Sequence, residues 1–285
     1  MISQEQFNKE IELIIANAIR EDVGDGDHSS LACIPASAQG KAKLLVKDEG
    51  IIAGVEFAKQ VFQYIDKNLK VDTLITDGSK VSYGDIVFYV EGASQSILKA
   101  ERLVLNAMQR MSAIATKTKV FVNLLEGTQT KILDTRKTTP GIRALEKWAV
   151  KIGGGENHRF ALYDMIMLKD NHIDFAGGIT KAITKTKQYL KDTNRDLKII
   201  VEARSLKEIE EILQNEGVYR ILIDNFDYET TKKAVQMIGN TCLTESSGGI
   251  NEETARKYAD CGVNFISSGA LTHSVYNMDL SLKAV

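Results

Sequence analysis

Six short apolar runs, each followed by a helical pattern, constrain this chain more than any other feature. They fall at Lys131–Asp134, Met165–Leu168, Lys198–Glu202, Arg220–Asp224, Cys242–Ser246 and Val263–Ser268. A strand that is apolar along its length is buried on both faces, and alternation with helices predicts a parallel sheet covered by helices. Ser205 is the expected N-cap of SLKEIEEILQNEG, with Glu208 as its box partner and Gly217 at its end; Gly239 and Gly262 are expected to end the next two helices likewise. Such a sheet is either doubly wound or closed. Asp134, Lys169, Glu202, Asp224, Glu245 or Ser246, and Ser268 each stand at or just past the end of a different run. One such residue merely begins a solvated loop. Six in succession, acids mixed with a lysine, fit a barrel mouth, where many strands contribute. Six strands are fewer than the eight of a full barrel. The expected fold is therefore α/β, with a C-terminal imperfect (reduced) α/β barrel and a smaller N-terminal α+β domain.

The first half of the chain has a different texture. Ser3 with Gln6 reads as a capping box, and Phe7, Ile11, Ile14, Ile15 and Ala18 follow at helical spacing. EDVGDGDHSS (Glu21 to Ser30) is expected to be a loop. From Gly40 to about Gly92, β-rich runs broken by glycine surround a helix near Val55 to Lys67, and a long helical pattern runs from about Ser96 to Glu126. The expected division is an N-terminal domain over residues 1–110 and a barrel domain over residues 111–285, whose last residues are free to return to the first domain.

Composition removes several classes. The 36 Lys+Arg against 38 Asp+Glu leave a net charge of −2, which excludes a broad basic surface for nucleic acid. No run approaches a membrane span, and the first residues lack the pattern of a secretory signal. Three scattered cysteines suit reduced thiols, so a cytoplasmic protein is expected.

The charge that matters is local. Between Lys131 and His172 lie Arg136, Lys137, His158, Arg159 and Lys169, within DTRKTTPG, GGGENHR and LKDNH. Arg offers planar forks and Lys a point charge, a combination suited to an anion carrying more than one negative charge. Arg143, Lys147 and Lys151 share a helix with Ile142, Leu145, Trp148 and Ala149 and are read as its solvated face. GGGENHR matches no nucleotide loop, and the histidines have no zinc spacing. SSGGINEETARKYA and SSGALTHS place Ser246 to Gly249 and Ser267 to Ala270 after the last two strands, with Asn251 capping the helix after the first. Consecutive glycine turns there match the phosphate site of barrel enzymes. Glu202 and Asp224 offer carboxylates for Mg²⁺ beside a phosphate-bearing substrate, or for ribose hydroxyls and developing positive charge.

In order along the chain, ERLVLN (Glu101 to Asn106), DTRKTTPG, GGGENHR, LKDNH, VEA, IDN, SSGGI and SSGALTHS resemble the quinolinate phosphoribosyltransferase family, and EDVGDGDHSS is similar to its N-terminal loop. The resemblance covers most of the chain from Glu21 onward. It implies a cytoplasmic pentosyltransferase of NAD synthesis that joins quinolinate to phosphoribosyl pyrophosphate with decarboxylation, uses Mg²⁺, touches neither nucleic acid nor membrane, and forms a homodimer or larger homo-oligomer. By that likeness Arg102 reaches into the partner's site. Thr135, Arg136, Lys137, His158, Arg159 and Lys169 bind quinolinate; Glu202 and Asp224 face the ribose and Mg²⁺; Ser247, Gly248, Gly249, Ser268, Gly269 and Ala270 bind the 5-phosphate. Lys137, Lys169, Glu202 and Asp224 are the implied catalytic residues. Thr139, where the family often has an apolar residue, and Ser29, where it commonly has Thr, depart slightly from its pattern. Three other readings compete: a molybdenum-locus paralogue with another substrate, a lyase using Lys169 as a Schiff base, and a non-catalytic phosphometabolite-binding regulator.

Overall fold

The computed structural model describes residues 2–285. Helix α1 (Gln4–Val23) begins where Ser3 Oγ accepts the Gln6 N–H, and it buries Ile11, Ile14 and Ile15 on one stripe. The stretch expected to be a loop from Glu21 to Ser30 is largely helical. α1 continues to Val23, and α2 (His28–Cys33) starts at Asp27, whose carboxylate accepts the Ser30 N–H and hydroxyl. One of the acids that suggested a loop is thus an N-cap.

The chain then forms β1 (Gln39–Val46), β2 (Gly50–Ile51), α3 (Val55–Ile65), β3 (Lys70–Thr73), β4 (Lys80–Val81), β5 (Ile86–Ala93) and α4 (Ser94–Leu124). Next come β6 (Lys131–Leu133), α5 (Arg143–Ile152), β7 (Ile166–Leu168), α6 (Asp170–Ala176), α7 (Ile179–Asp192), β8 (Ile199–Ala203) and α8 (Leu206–Leu213). The rest is β9 (Arg220–Asp224), α9 (Tyr228–Ile238), β10 (Leu243–Ser247), α10 (Ala255–Ala259), β11 (Phe265–Ser267), α11 (Ala270–His273) and β12 (Leu280–Ala284).

Two compact units result. One comprises Val120–Lys137 and Gly155–Ala270; the other comprises Ser3–Lys119, Thr138–Gly154 and Leu271–Val285. The second unit carries a four-stranded sheet, β12-β1-β5-β3, in which each neighbouring pair is antiparallel. Its largest fully buried side chains include Phe57, Phe62 and Phe88, and the Phe62 and Phe88 rings meet edge to face. Each contributes about 1.5–3 kcal/mol relative to exposure.

The first unit is the six-stranded parallel sheet expected from the apolar runs. Its order, β6-β11-β10-β9-β8-β7, is the order of a barrel opened at one seam, between β6 and β7. β8 is buried along its whole length, as a strand covered on both faces must be.

The helix boundaries differ in detail. Ser205 Oγ accepts the Glu208 N–H, but the Glu208 carboxylate takes the Arg204 N–H rather than that of Ser205. α8 stops at Leu213, well before Gly217. Gly239 does cap α9, with φ of +54°, whereas α10 ends three residues ahead of Gly262. Asn251 Oδ1 accepts from the N–H groups of Glu253 and Thr254, so it caps the turn leading into α10 rather than the helix itself. α5 corrects a larger reading. Lys147 is buried there with Glu146, so only Lys151 of the supposed solvated face is fully exposed. The helix is covered on more than one side, and two of its charged positions, Glu146 and Lys147, lie inside.

Candidate active site

The register of the parallel sheet decides which side chains share the barrel interior. Ile200 pairs with Arg220, Glu202 with Leu222, and Leu222 in turn with Glu245, which pairs with Phe265. Residues at one level of a parallel sheet point to the same side, and alternate residues along a strand repeat it. Arg220, Leu222 and Asp224 of β9 therefore share a face with Glu202 of β8 and with Glu245 and Ser247 of β10. Towards the N-terminal end of that face Met167, Ile200 and Leu222 pack together, with Met165 and Tyr219 against them. Its C-terminal end is polar.

A buried ionic group runs along this face from Arg220, level with Ile200, to Glu245, level with Leu222. Arg220 Nη1 donates to Glu245 Oε2 at 2.7 Å, and His158 Nε2 stands 3.2 Å from the same oxygen. The guanidinium also lies 4.1 Å from the centre of the Phe265 ring. Burial alone would push the Glu245 carboxyl up. The imidazole edge of His158 and the guanidinium of Arg220 outweigh burial and hold it down at about 2.

His158 is anchored from its other side as well. Its backbone N–H donates to Asp134 Oδ1 at 2.8 Å, and its Nδ1 accepts the Arg159 N–H at 2.7 Å. Arg159 donates from Nη1 to the Met165 carbonyl, while the Phe160 and Ala161 N–H groups donate to the Asp164 carboxylate and close the loop behind it. Burial lowers the Arg159 guanidinium from its usual value, and the charge of Arg136 lowers it further. Those two cations therefore share one field, on the loops after β6 and before β7. Thr135 Oγ accepts the Lys137 N–H at 3.0 Å, and Arg136 and Lys137 are exposed.

The acids lie across the same end. Glu202 is buried; burial raises its carboxyl, and the neighbouring charge of Asp224 raises it further. The Asp170 N–H reaches Glu202 Oε1 at 3.4 Å, and the charge of exposed Lys169, at the start of α6, acts on Glu202 in the opposite sense. Asn225 Nδ2 donates to Asp224 Oδ2 at 2.7 Å, and the Asn225 backbone N–H donates to the Ser247 carbonyl.

After β10, Gly248 and Gly249 have φ of +96° and +61°, a path closed to most side chains. After β11, Ser268 Oγ donates to the Ile250 carbonyl at 2.8 Å and accepts the Ala270 N–H, so this hydroxyl ties the two loops together. Arg102 is exposed on α4 of the other unit.

The model of the quinolinate phosphoribosyl transferase C-terminal domain matches residues 114–283, and that of the N-terminal domain matches residues 27–112. The chain belongs to this family. Among its relatives is quinolinate phosphoribosyltransferase [decarboxylating] 1b of Nicotiana tabacum, 44% identical over 95% of this chain and 81% of that one. The probable nicotinate-nucleotide pyrophosphorylase [carboxylating] of Bacillus subtilis is 40% identical over 92% of this chain and 89% of that one. Among solved structures, NadC from Streptococcus pyogenes superposes with a TM-score of 0.89 at 35% identity, covering 100% of this chain and 99% of that one.

Within this quinolinate phosphoribosyltransferase fold, the strand-end residues Lys169, Glu202 and Asp224 fall at one end of the barrel, as the spacing of the apolar runs suggested. Glu245 and Arg220 have a different place. Glu245 is entirely buried inside the barrel, bonded to an arginine at the opposite end of the neighbouring strand. Their signal in the sequence was the presence of charges inside apolar runs, at positions sharing the inward parity of Asp224.

Proposed function

We propose that this enzyme transfers the phosphoribosyl group of phosphoribosyl pyrophosphate to quinolinate with decarboxylation, giving nicotinate mononucleotide, pyrophosphate and CO2 in NAD biosynthesis. The observation that carries the reading is a barrel end with cations on one arc (Arg136, Lys137, Arg159, Lys169) and neighbouring carboxylates, Glu202 and Asp224, on the next. Quinolinate needs the first and a ribosyl pyrophosphate the second.

On this reading the forks of Arg136 and Arg159 hold the two ring carboxylates, with Thr135 and His158 shaping the loops that carry them. Lys137 and Lys169 add point charge at the reacting centre. The turns at Ser247 to Gly249 and Ser268 to Ala270 receive the 5-phosphate. Glu202 and Asp224 face the ribose and stabilise positive charge growing on the anomeric carbon. The ring nitrogen bonds to that carbon as the bond to pyrophosphate breaks. The carboxylate beside the nitrogen then leaves as CO2, its bonding electrons staying on a ring carbon that takes up a proton. The cations serve both stages, by binding the dianion and by countering the carbanionic charge.

Glu202 and Asp224 also suit Mg²⁺. They are neighbouring hard-oxygen donors, and the Asp224 charge disfavours ionised Glu202 until a cation joins them. When bound, that ion would neutralise charge on the departing pyrophosphate. The enzyme acts in the cytoplasm as a homodimer or larger homo-oligomer, with Arg102 serving the partner's site. Its three cysteines are free, and no helix among the described residues is long and apolar enough to cross a membrane.

The test mixes the purified protein with quinolinate, phosphoribosyl pyrophosphate and Mg²⁺ and follows nicotinate mononucleotide. Product formation that is lost when Lys137 and Lys169 are both changed to Ala is the expected result. Absence of product, or full activity in the double variant, overturns the reading.

A further inference from the structure

Arg220 and Glu245 take no part in the chemistry above, yet with His158 they form a buried charged group inside the barrel. Glu245 Oε1, Arg220 Nε and His158 Nε2 make no well-formed hydrogen bond although all three atoms are buried. Buried pairs with unsatisfied atoms seldom stabilise a fold beyond what apolar side chains of similar volume would do. The pairing therefore calls for a role other than stability.

The imidazole supplies one. His158 Nδ1 accepts the Arg159 N–H at 2.7 Å, so that nitrogen carries no proton. Its Nε2 faces Glu245 Oε2 at 3.2 Å, an oxygen that can only accept. The ring is thereby set as the neutral Nε2–H tautomer, with Nδ1 accepting outward and Nε2 facing the Glu245 carboxylate at 3.2 Å. The charged groups around it are Glu245 on β10, Arg220 on β9, Asp134 after β6 and Arg159 beside it in the chain. Glu245 and Arg220 cancel one another, leaving a neutral ring next to the two arginines whose charges already oppose each other.

We propose that Glu245 and Arg220 are positioning residues that fix His158 in the Nε2–H tautomer, so that its Nδ1 holds the Arg159 main chain and aims the guanidinium at a substrate carboxylate. The relay runs from the barrel interior to the anion pocket through a single ring. It rests on the proposed function for its kinetic consequences only; the tautomer is fixed by the chain alone.

The experiment reads both. The full-length protein is ¹⁵N-labelled at histidine, and long-range ¹H–¹⁵N correlation spectra are taken at about pH 8, where an ordinary imidazole is neutral. A protonated Nε2 and a bare Nδ1 at His158 are expected. E245L/R220M replaces the pair by apolar side chains of similar volume. In it the two tautomers should mix, and KM for quinolinate should rise about tenfold, the loss of roughly one charge-assisted hydrogen bond, with kcat changed far less. E245Q, which keeps an oxygen acceptor, should retain the tautomer and lie closer to wild type in KM. An Nδ1–H or doubly protonated ring in the wild type overturns the proposal, as does a folded E245L/R220M protein with unchanged tautomer and KM. Should that variant not fold, the wild-type spectrum decides alone. A wild-type enzyme that forms no nicotinate mononucleotide would defeat the proposed function and leave the tautomer assignment standing.

Discussion

Gly248 and Asn225 compete for one space: a Cβ on Gly248 would lie 2.1 Å from Asn225 Oδ1 and 3.0 Å from the Asn225 backbone nitrogen. The contact matters because Asn225, itself in a left-handed conformation with φ of +56°, holds the Asp224 carboxylate. G248A displaces Asn225 and, through it, Asp224. Turnover should fall about 100-fold, the loss that a misplacement of about 1 Å brings, while urea denaturation shows a loss of only about 1–3 kcal/mol from the strained backbone. Near-normal kcat in a folded G248A enzyme would refute the link.

Loss of either mouth carboxylate should weaken Mg²⁺. In E202Q and in D224N the Mg²⁺ concentration for half-maximal activity is expected to rise about tenfold, and titration calorimetry with phosphoribosyl pyrophosphate present should show the same change. An unchanged Mg²⁺ requirement in both variants would remove them as ligands.

Glu245 predicts a pH dependence. Its carboxyl sits at about 2 in the folded protein against an ordinary 4.5, so its stabilising contribution is complete above about 4.5 and drains away as the pH falls towards 2. The difference in unfolding free energy between wild type and E245Q, measured by urea melts, should narrow steadily below about pH 4.5. A gap that stays constant or widens on acidification contradicts this assignment.

The second unit has its own buried hub. Glu146 accepts from Arg110 Nε and Nη2 at 3.0 and 2.9 Å and from the Thr139 N–H and hydroxyl at 3.1 and 2.8 Å, and Arg110 also donates to the Thr272 carbonyl. E146A leaves these donors stranded and should cost about 3 kcal/mol. R110A should cost less, because the arginine side chain is 22% exposed and the carboxylate keeps Thr139. Equal losses in the two variants would argue against the hub.

The six strands were legible because burial on both faces leaves no polar position inside a strand except where function requires one. The mouth residues Lys169, Glu202 and Asp224 followed from that same rule. Asp27 was misread because a cap and a solvated loop use the same residue types. Lys147 was misread because its helix buries more than the stripe its apolar residues define. Arg220 was passed over, and Glu245 was read as a residue of the mouth, for a different reason. Their pairing spans 25 residues and two strands, so each appears alone as an exception to an apolar run, and only the register shows that both face inward. Thr139, a departure from the family pattern, proves to be a ligand of Glu146.

Strand β12 has a consequence for how the protein is made. Leu280–Ala284 forms one side of β1, pairing Leu44 with Leu282 and Val46 with Leu280. During synthesis the edge of β1 must therefore wait, unpaired, while more than two hundred further residues emerge, including every strand of the parallel sheet. The earliest sheet to be translated is among the last to be completed, and an incomplete chain presents an open β-edge to its neighbours on the ribosome.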